Sequence, residues 1–248
     1  ATATPPDTTA PQEQSKLGDF GSLQIVRHFH MSWFALVMGW GGCALAINGF
    51  PAATEAGGTT KDVFNWIATV VWLWDVAYCV LFSLLLLARI LWYPKEFWAM
   101  ACRPGDFLFF GCVPMGIAVV GMGFPVFGPN IMSEHTAHLI ALVIFWIDVV
   151  LCVVSMTLPP WLMITKHKYK FETFLATWLL PFVSCVVASA LAGAIGEHLD
   201  TLSQQKHVMI TGYILWGAGM LTAGTIIPVY ICKLYLHGLP PAAAGNSV

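Results

Sequence analysis

Charge is scarce in this sequence. Asp, Glu, Lys and Arg make up only 10% of the 248 residues, against 58% hydrophobic ones, where soluble domains carry roughly 25% charged residues. So little charge cannot cover a water-facing surface, which excludes a soluble enzyme. The 11 Lys and Arg are scattered and the net charge is −2, so the basic stripe that a nucleic-acid binder needs is missing and nucleic acid is not a partner. The seven cysteines, at 43, 79, 102, 112, 152, 185 and 232, include no C-x-x-C pair; they read as buried thiols, not metal ligands or disulfides. Residues 1–30, rich in Thr, Pro, Gln and Ala, contain no apolar core of signal-peptide length and are expected to form a disordered tail. Nucleophile–base pairs and metal clusters are also lacking, so neither enzymatic chemistry nor a metal or cofactor is expected.

What the sequence does hold is long apolar runs. Six of them, Met31–Phe50, Val63–Leu87, Phe107–Phe124, Thr136–Leu158, Phe174–Ile195 and Val208–Cys232, approach or exceed the roughly 20 helical residues that cross a bilayer core. Each is continuously apolar without the period-two alternation of barrel strands. The predicted fold is therefore an all-α, polytopic bundle of six membrane-spanning helices over residues 31–236, embedded in lipid, with a short tail at 237–248. Six spans put both termini on one side. That side holds Lys16, Arg27, Arg89, Lys95, Arg103, Lys166, Lys168, Lys170 and Lys233, while the other holds only Lys61 and Lys206, which makes the termini cytoplasmic.

The spans repeat. Asp75-Val76-x-x-Cys79-Val80 in the second recurs as Asp148-Val149-x-x-Cys152-Val153 in the fourth, and Met38-Gly39 in the first recurs as Met115-Gly116 in the third. The repeating unit is a helical hairpin of one odd and one even span in constant orientation. Breakers concentrate in the odd spans: Gly39, Gly41 and Gly42 in the first, Pro114, Gly116, Gly121 and Gly123 in the third, Pro181 and Gly193 in the fifth, although Pro228 sits in the sixth. Kinked, small-residue helices suit a pore lining; small residues also simply let helices pack closely. Both readings stand at this point. Met38, Gly39, Pro114, Gly116, Trp178 and Pro181 are the candidate pore-lining or pore-shaping positions.

Asp75 and Asp148 lie near the centres of their spans, where an ionised carboxylate costs at least ~2.5 kcal/mol. They serve either proton coupling or, as their equivalent places in a repeat favour, the locking of neighbouring helices. His135 and His138 are spaced i, i+3, but all eight histidines lie in tails, loops or span ends, whereas haem in a bundle needs them at mid-span. No Lys or Arg falls inside any predicted span, so an anion path would rest on backbone dipoles and small polar groups such as Ser184 and Ser189, with weak binding that favours flux. Trp33, Trp66, Trp92, Trp98 and Trp161 read as interfacial anchors, while Trp178, in Trp178-Leu179-Leu180-Pro181, stands one turn before a kink.

These residues resemble the tellurite-resistance/dicarboxylate transporter family, which includes fungal malate permeases, fungal sulfite efflux pumps and plant slow anion channels. The resemblance is carried by Ser32-Trp33-Phe34-Ala35-Leu36-Val37-Met38-Gly39, Pro114-Met115-Gly116, Phe145-Trp146-Ile147-Asp148, Thr165-Lys166-His167-Lys168 with Phe171-Glu172-Thr173, and Trp178-Leu179-Leu180-Pro181, in family order. It implies ten helices in five hairpins around a central pore, odd helices inside and even ones outside, moving small anions, commonly as a homotrimer. Two departures stand out. The sequence stops a few residues after Leu236-His237-Gly238-Leu239-Pro240-Pro241, where the family continues into four more helices, and Trp40 replaces an expected small residue. Two functions follow as expectations: a transporter or channel for malate-like dicarboxylates or sulfite, in a homo-oligomer, or a non-transporting structural subunit of a larger membrane complex.

Overall fold

A chain in hydrocarbon has to satisfy its backbone hydrogen bonds within the segment, which leaves helices for continuously apolar runs. The computed structural model describes residues 22–51, 58–103, 105–166, 171, 174–199 and 201–238. Among them there is no strand, and the six spans are Met31–Asn48, Thr59–Trp92, Asp106–Asn130, Glu134–Lys166, Ala176–Gly196 and Leu202–His237. The bundle is all-α and polytopic. Lys16, His167, Lys168, Lys170, Glu172 and Thr173, the tail up to residue 21 and the tail from 239 lie outside the described residues.

The odd and even spans are built differently. Each even span is one uninterrupted α-helix of 34, 33 or 36 residues, about 50 Å long at 1.5 Å per residue and well beyond the ~30 Å hydrocarbon core. Each odd span opens with a 3-10 segment, at Met31–Trp33, Asp106–Gly111 and Ala176–Leu179, and continues as a short α-helix, at Phe34–Asn48, Cys112–Phe127 and Leu180–Gly196. The expected mid-helix kinks at Pro114 and Pro181 are therefore corrected. Both prolines sit in the first α-helical turn, where the missing N–H has no intrahelical partner to lose and the fixed φ suits the helix. Prolines inside α-helices are instead Pro125 in the third span, Pro159 and Pro160 in the fourth and Pro228 in the sixth.

The third span stands between the first and the fifth; the second packs on the first and third, the fourth on the third and fifth, and the sixth on the fifth. The third span is accordingly 83% buried, against 28%, 28% and 17% for the even spans. The odd spans lie inside the even ones but unequally: the fifth is 44% buried, while the first, at 28%, is no more buried than the second and fourth and keeps one side open. Glycines allow the close approaches: a Cβ on Gly111 would overlap the Leu180 carbonyl and the Pro181 nitrogen, and one on Gly123 would overlap the indole of Trp72. That indole donates Nε1–H to the Val120 carbonyl at 3.2 Å and meets Phe124 edge-on, fixing the second span against the third. The sixth span stops at Gly238, whose φ of 70° is left-handed and suits glycine at a helix end.

The tail assigned to residues 1–30 is structured in its described part. Ser22–His28 is α-helical, Val26 and Phe29 are buried, and Arg27 meets Glu96 of the short helix Pro94–Ala101 through two 2.8 Å contacts. Apolar residues within a polar stretch supply the anchorage, and the exposed ion pair adds ~1 kcal/mol at most. The cysteines divide as well: Cys79, Cys112, Cys152 and Cys185 are buried as expected, whereas Cys43 and Cys232 are exposed.

Gly111→Ala is expected to lower stability by about 1–3 kcal/mol, the usual range for overpacking, because backbone atoms have to move. Thermal unfolding of the detergent-extracted chain checks this against Gly42→Ala, whose added methyl meets open space and is expected to leave the melting temperature in place.

Candidate functional site

The second and fourth spans turn their acids inward. Asp75 is fully buried, and its carboxylate lies against Gly41 of the first span, where an added Cβ would overlap Oδ2 and the Val119 side chain of the third. Neither oxygen of Asp75 has a hydrogen-bond partner. Asp148 is equally buried; the Cys152 thiol donates to its Oδ2 at 3.9 Å while Oδ1 is unpartnered. The Cys185 thiol of the fifth span donates to the Cys152 carbonyl at 3.8 Å. Each repeated Asp and its Cys one turn on, Cys79 or Cys152, are thus buried on the inward face of an outer helix.

The six pore candidates do not fall on one surface. Gly39 stands on the exposed side of the first span, opposite its buried Phe34, Val37, Gly41 and Ala44, with Met38 exposed at the flank of that buried stripe, and nothing lies within 4 Å of a Cβ placed on Gly39. Pro114 and Gly116 are buried, and a Cβ on Gly116 would come within 3.3–3.4 Å of Phe34 and Val37, so Gly116 sets the spacing of the third and first spans. Trp178 is half-buried, with its ring 4.5 Å from that of Phe174. With Pro181, Leu108, Met163 and Phe182 it lines an apolar cleft of about 370 Å³. The Pro181 carbonyl accepts from Ser184 Oγ at 2.7 Å and from Ser155 Oγ at 3.4 Å. Ser189, the other small polar group, donates to the Val186 carbonyl at 2.6 Å. Trp33, Trp66, Trp92, Trp98 and Trp161 are all at least half exposed, as anchors require.

Two buried cations lie beyond the predicted apolar runs yet within the helices. The second and sixth helices run past Leu87 and Cys232, so Arg89 and Lys233 lie within them, and both are buried. Both are near helix ends. The Arg89 guanidinium donates to the Phe29 carbonyl, holding the chain as it approaches the first span, and Lys233 Nζ donates to the Gly238 carbonyl at 3.4 Å. Beside Arg89, His30 caps the 3-10 turn Met31–Trp33 by accepting the Ser32 N–H at Nδ1, 3.2 Å away. Burial lowers its proton affinity below the ordinary value of 6.5, opposed by nearby Asp106 and reinforced by Arg89. Nothing local to the residues signals the Arg89–Phe29, Gly41–Asp75 or Gly111–Pro181 pairings, which depend on how spans pack.

Comparison with known proteins places this architecture. The voltage-dependent anion channel family matches residues 28–248. A sulfite efflux pump of Arthroderma benhamiae is 30% identical over 227 residues, covering 88% of this chain and 56% of the pump. A malic acid transport protein of Schizosaccharomyces pombe is 23% identical over 219 residues, 87% of this chain and 47% of the relative. An uncharacterized transporter of Methanocaldococcus jannaschii is 25% identical over 224 residues, 90% and 61% of the two chains. The chain thus spans about half the length of the curated relatives it matches. No solved structure matches.

Gly41→Ala is expected to destabilise the chain by pressing on Asp75 and Val119, and Asp75→Ala in the same chain to restore part of the loss. A double-mutant cycle on melting temperature reads the coupling, in the range of about 0.5–3 kcal/mol for touching residues. His30 gives a pH dependence. Its folded proton affinity lies below the unfolded one, so its contribution is present above pH 6.5 and is lost as pH falls further. Stability measured across pH 5–8 is expected to show a smaller acid-side loss in His30→Gln.

Proposed function

The chain belongs to the voltage-dependent anion channel family, and from that premise we propose that it serves the transmembrane passage of small anions, sulfite foremost and malate-like dicarboxylates second. One observation carries the reading: the three odd spans are short and 3-10-initiated, pack side by side with the third at the centre, and are backed by three even helices about twice the length of their α-helical parts. Sulfite ranks first because the sulfite efflux pump is the more similar of the two named relatives.

Met38 and Gly39 line the path in this reading, while Pro114, Gly116, Trp178 and Pro181 shape it by setting how the odd spans meet. Asp75 and Asp148 lock the helices they face, or carry a proton between them. Among the described residues no cation sits at mid-span, since Arg89 and Lys233 are near helix ends; the anion is held weakly and leaves readily. The nine basic residues on the side of the termini against two opposite support a cytoplasmic placement of both ends. Relatives about twice as long support a path completed by further helices or by copies in a homo-oligomer. A second reading, a structural subunit of a larger complex, draws on Trp40, whose 43%-exposed indole adjoins Met38 and Gly39.

The test is native mass spectrometry of the detergent-extracted assembly, followed by sulfite and malate flux into liposomes that contain it. A homo-oligomer that passes sulfite faster than malate is the expected result. Unrelated subunits at fixed ratio, with flux no greater than in protein-free liposomes, would overturn transport in favour of the structural reading.

A further inference from the structure

At the face of the bundle opposite the chain ends, the fourth span begins and the fifth ends, and their histidines meet. His138, in the first turns of the fourth span, is 9% exposed and its Nε2 is buried without a hydrogen-bond partner. His198, just past the end of the fifth span, is exposed, and its ring centre lies 5.0 Å from that of His138 with 28° between the planes. Sequence spacing pairs His138 with His135; the fold pairs it with His198, sixty residues away. The two rings line an open polar cleft of about 530 Å³ together with Glu134, His135 and Glu197.

A buried imidazole nitrogen with no partner calls for an explanation such as an ion or a water. Two imidazoles that share one tetrahedral ion at about 2.0–2.1 Å have their ring centres about 5 Å apart; the stacked rings of His138 and His198 are 5.0 Å apart, so small ring rotations would let one ion meet both. Among the described residues no three His, Cys, Asp or Glu side chains converge as a metal cluster, so these residues form no closed structural site. An open one is not.

We propose that His138 and His198 form a two-imidazole site for a divalent transition ion of the zinc, copper or nickel class, with water completing its coordination. Imidazole suits these ions and disfavours Mg²⁺ and Ca²⁺, which take oxygen ligands. Glu134 and Glu197 supply negative charge at the rim and draw cations toward it. Bound there, the ion ties the start of an outer helix to the end of an inner one and stabilises the bundle by linkage. The site is independent of the anion path, because its ligands lie at a helix junction on the rim and include none of the path residues.

The experiment is a Cu²⁺ titration of the full chain in detergent, without a histidine tag, followed by electron paramagnetic resonance and by thermal unfolding. One Cu²⁺ per chain is expected, with nitrogen hyperfine structure from two imidazoles and a raised melting temperature. His198→Ala, at an exposed position, and His138→Gln are each expected to weaken binding at least roughly tenfold, the loss that even an outer partner of a metal ligand produces. His207→Ala, on the exposed side of the sixth span, is expected to change nothing. Unchanged affinity in His198→Ala would overturn the proposal, as would a loss in His207→Ala equal to that in His198→Ala. If His138→Gln fails to fold, His198→Ala decides alone.

Discussion

The bundle depends on how closely the third span approaches its neighbours. Each approach is made by a different glycine: Gly111 against the backbone at Leu180 and Pro181, Gly116 against Phe34 and Val37, Gly121 against Leu191 and Ile144, Gly123 against Trp72. In lipid the hydrophobic effect does not drive helices together, and association rests on close packing and interhelical hydrogen bonds. A Cβ at Gly111 or Gly123 would overlap its neighbour outright, and one at Gly116 or Gly121 would press on it at 3.0–3.4 Å. The same distinction sorts the other glycines. Gly39, Gly42, Gly193, Gly217 and Gly224 have no neighbour within reach of a Cβ, so packing within the chain does not account for them. Of the two explanations for small residues, packing fits the third span and an open face fits one side of the first.

Helix length separates the layers for a related reason. Outer helices meet lipid along their full height and have to stay hydrogen-bonded throughout, so they run as single helices of 33–36 residues. Inner helices are screened by them and tolerate irregular backbone, which is where the 3-10 segments occur. Ridges of 3-10 helix are tighter and poorer in hydrogen-bond geometry than α-helix. Their recurrence at the start of all three inner spans marks them as a property of the repeating unit.

The six spans, their order and the hairpin repeat were legible because each follows from local composition: continuous apolar runs, and Asp-Val-x-x-Cys-Val occurring twice. Helix ends were not, since Arg89 and Lys233 lie in the last turns of helices that outlast their apolar runs, both buried and each donating to a backbone carbonyl. Proline misled in the opposite way. A proline in an apolar run signals a kink, but at the first turn it fits an undistorted helix, and only the 3-10 segments upstream reveal that Pro114 and Pro181 stand at such a turn. The inner site was legible as residue types, not as pairings. Asp75 announced itself by its charge, while its neighbour Gly41 was one of three glycines in the Gly39–Gly42 stretch, and only packing selects it.

That pairing constrains what Asp75 can do. Gly41, which it touches, belongs to the buried side of the first span, whereas Gly39 lies about half a turn around the helix on the exposed side. On the proposed path, an anion at Gly39 would have the first helix between itself and the Asp75 carboxyl, whereas Met38, three residues before Gly41, flanks the buried side. Direct contact between the two requires that helix to rotate or withdraw. If a proton on Asp75 influences transport, it acts through the fit of the first, second and third spans, by changing what Gly41 and Val119 meet. Asp148, buried against the fifth span and bonded to the Cys152 thiol, stands in the corresponding place one hairpin later. In both hairpins the acid is buried on the side of an outer helix that faces the inner spans, so its first neighbours are packed side chains.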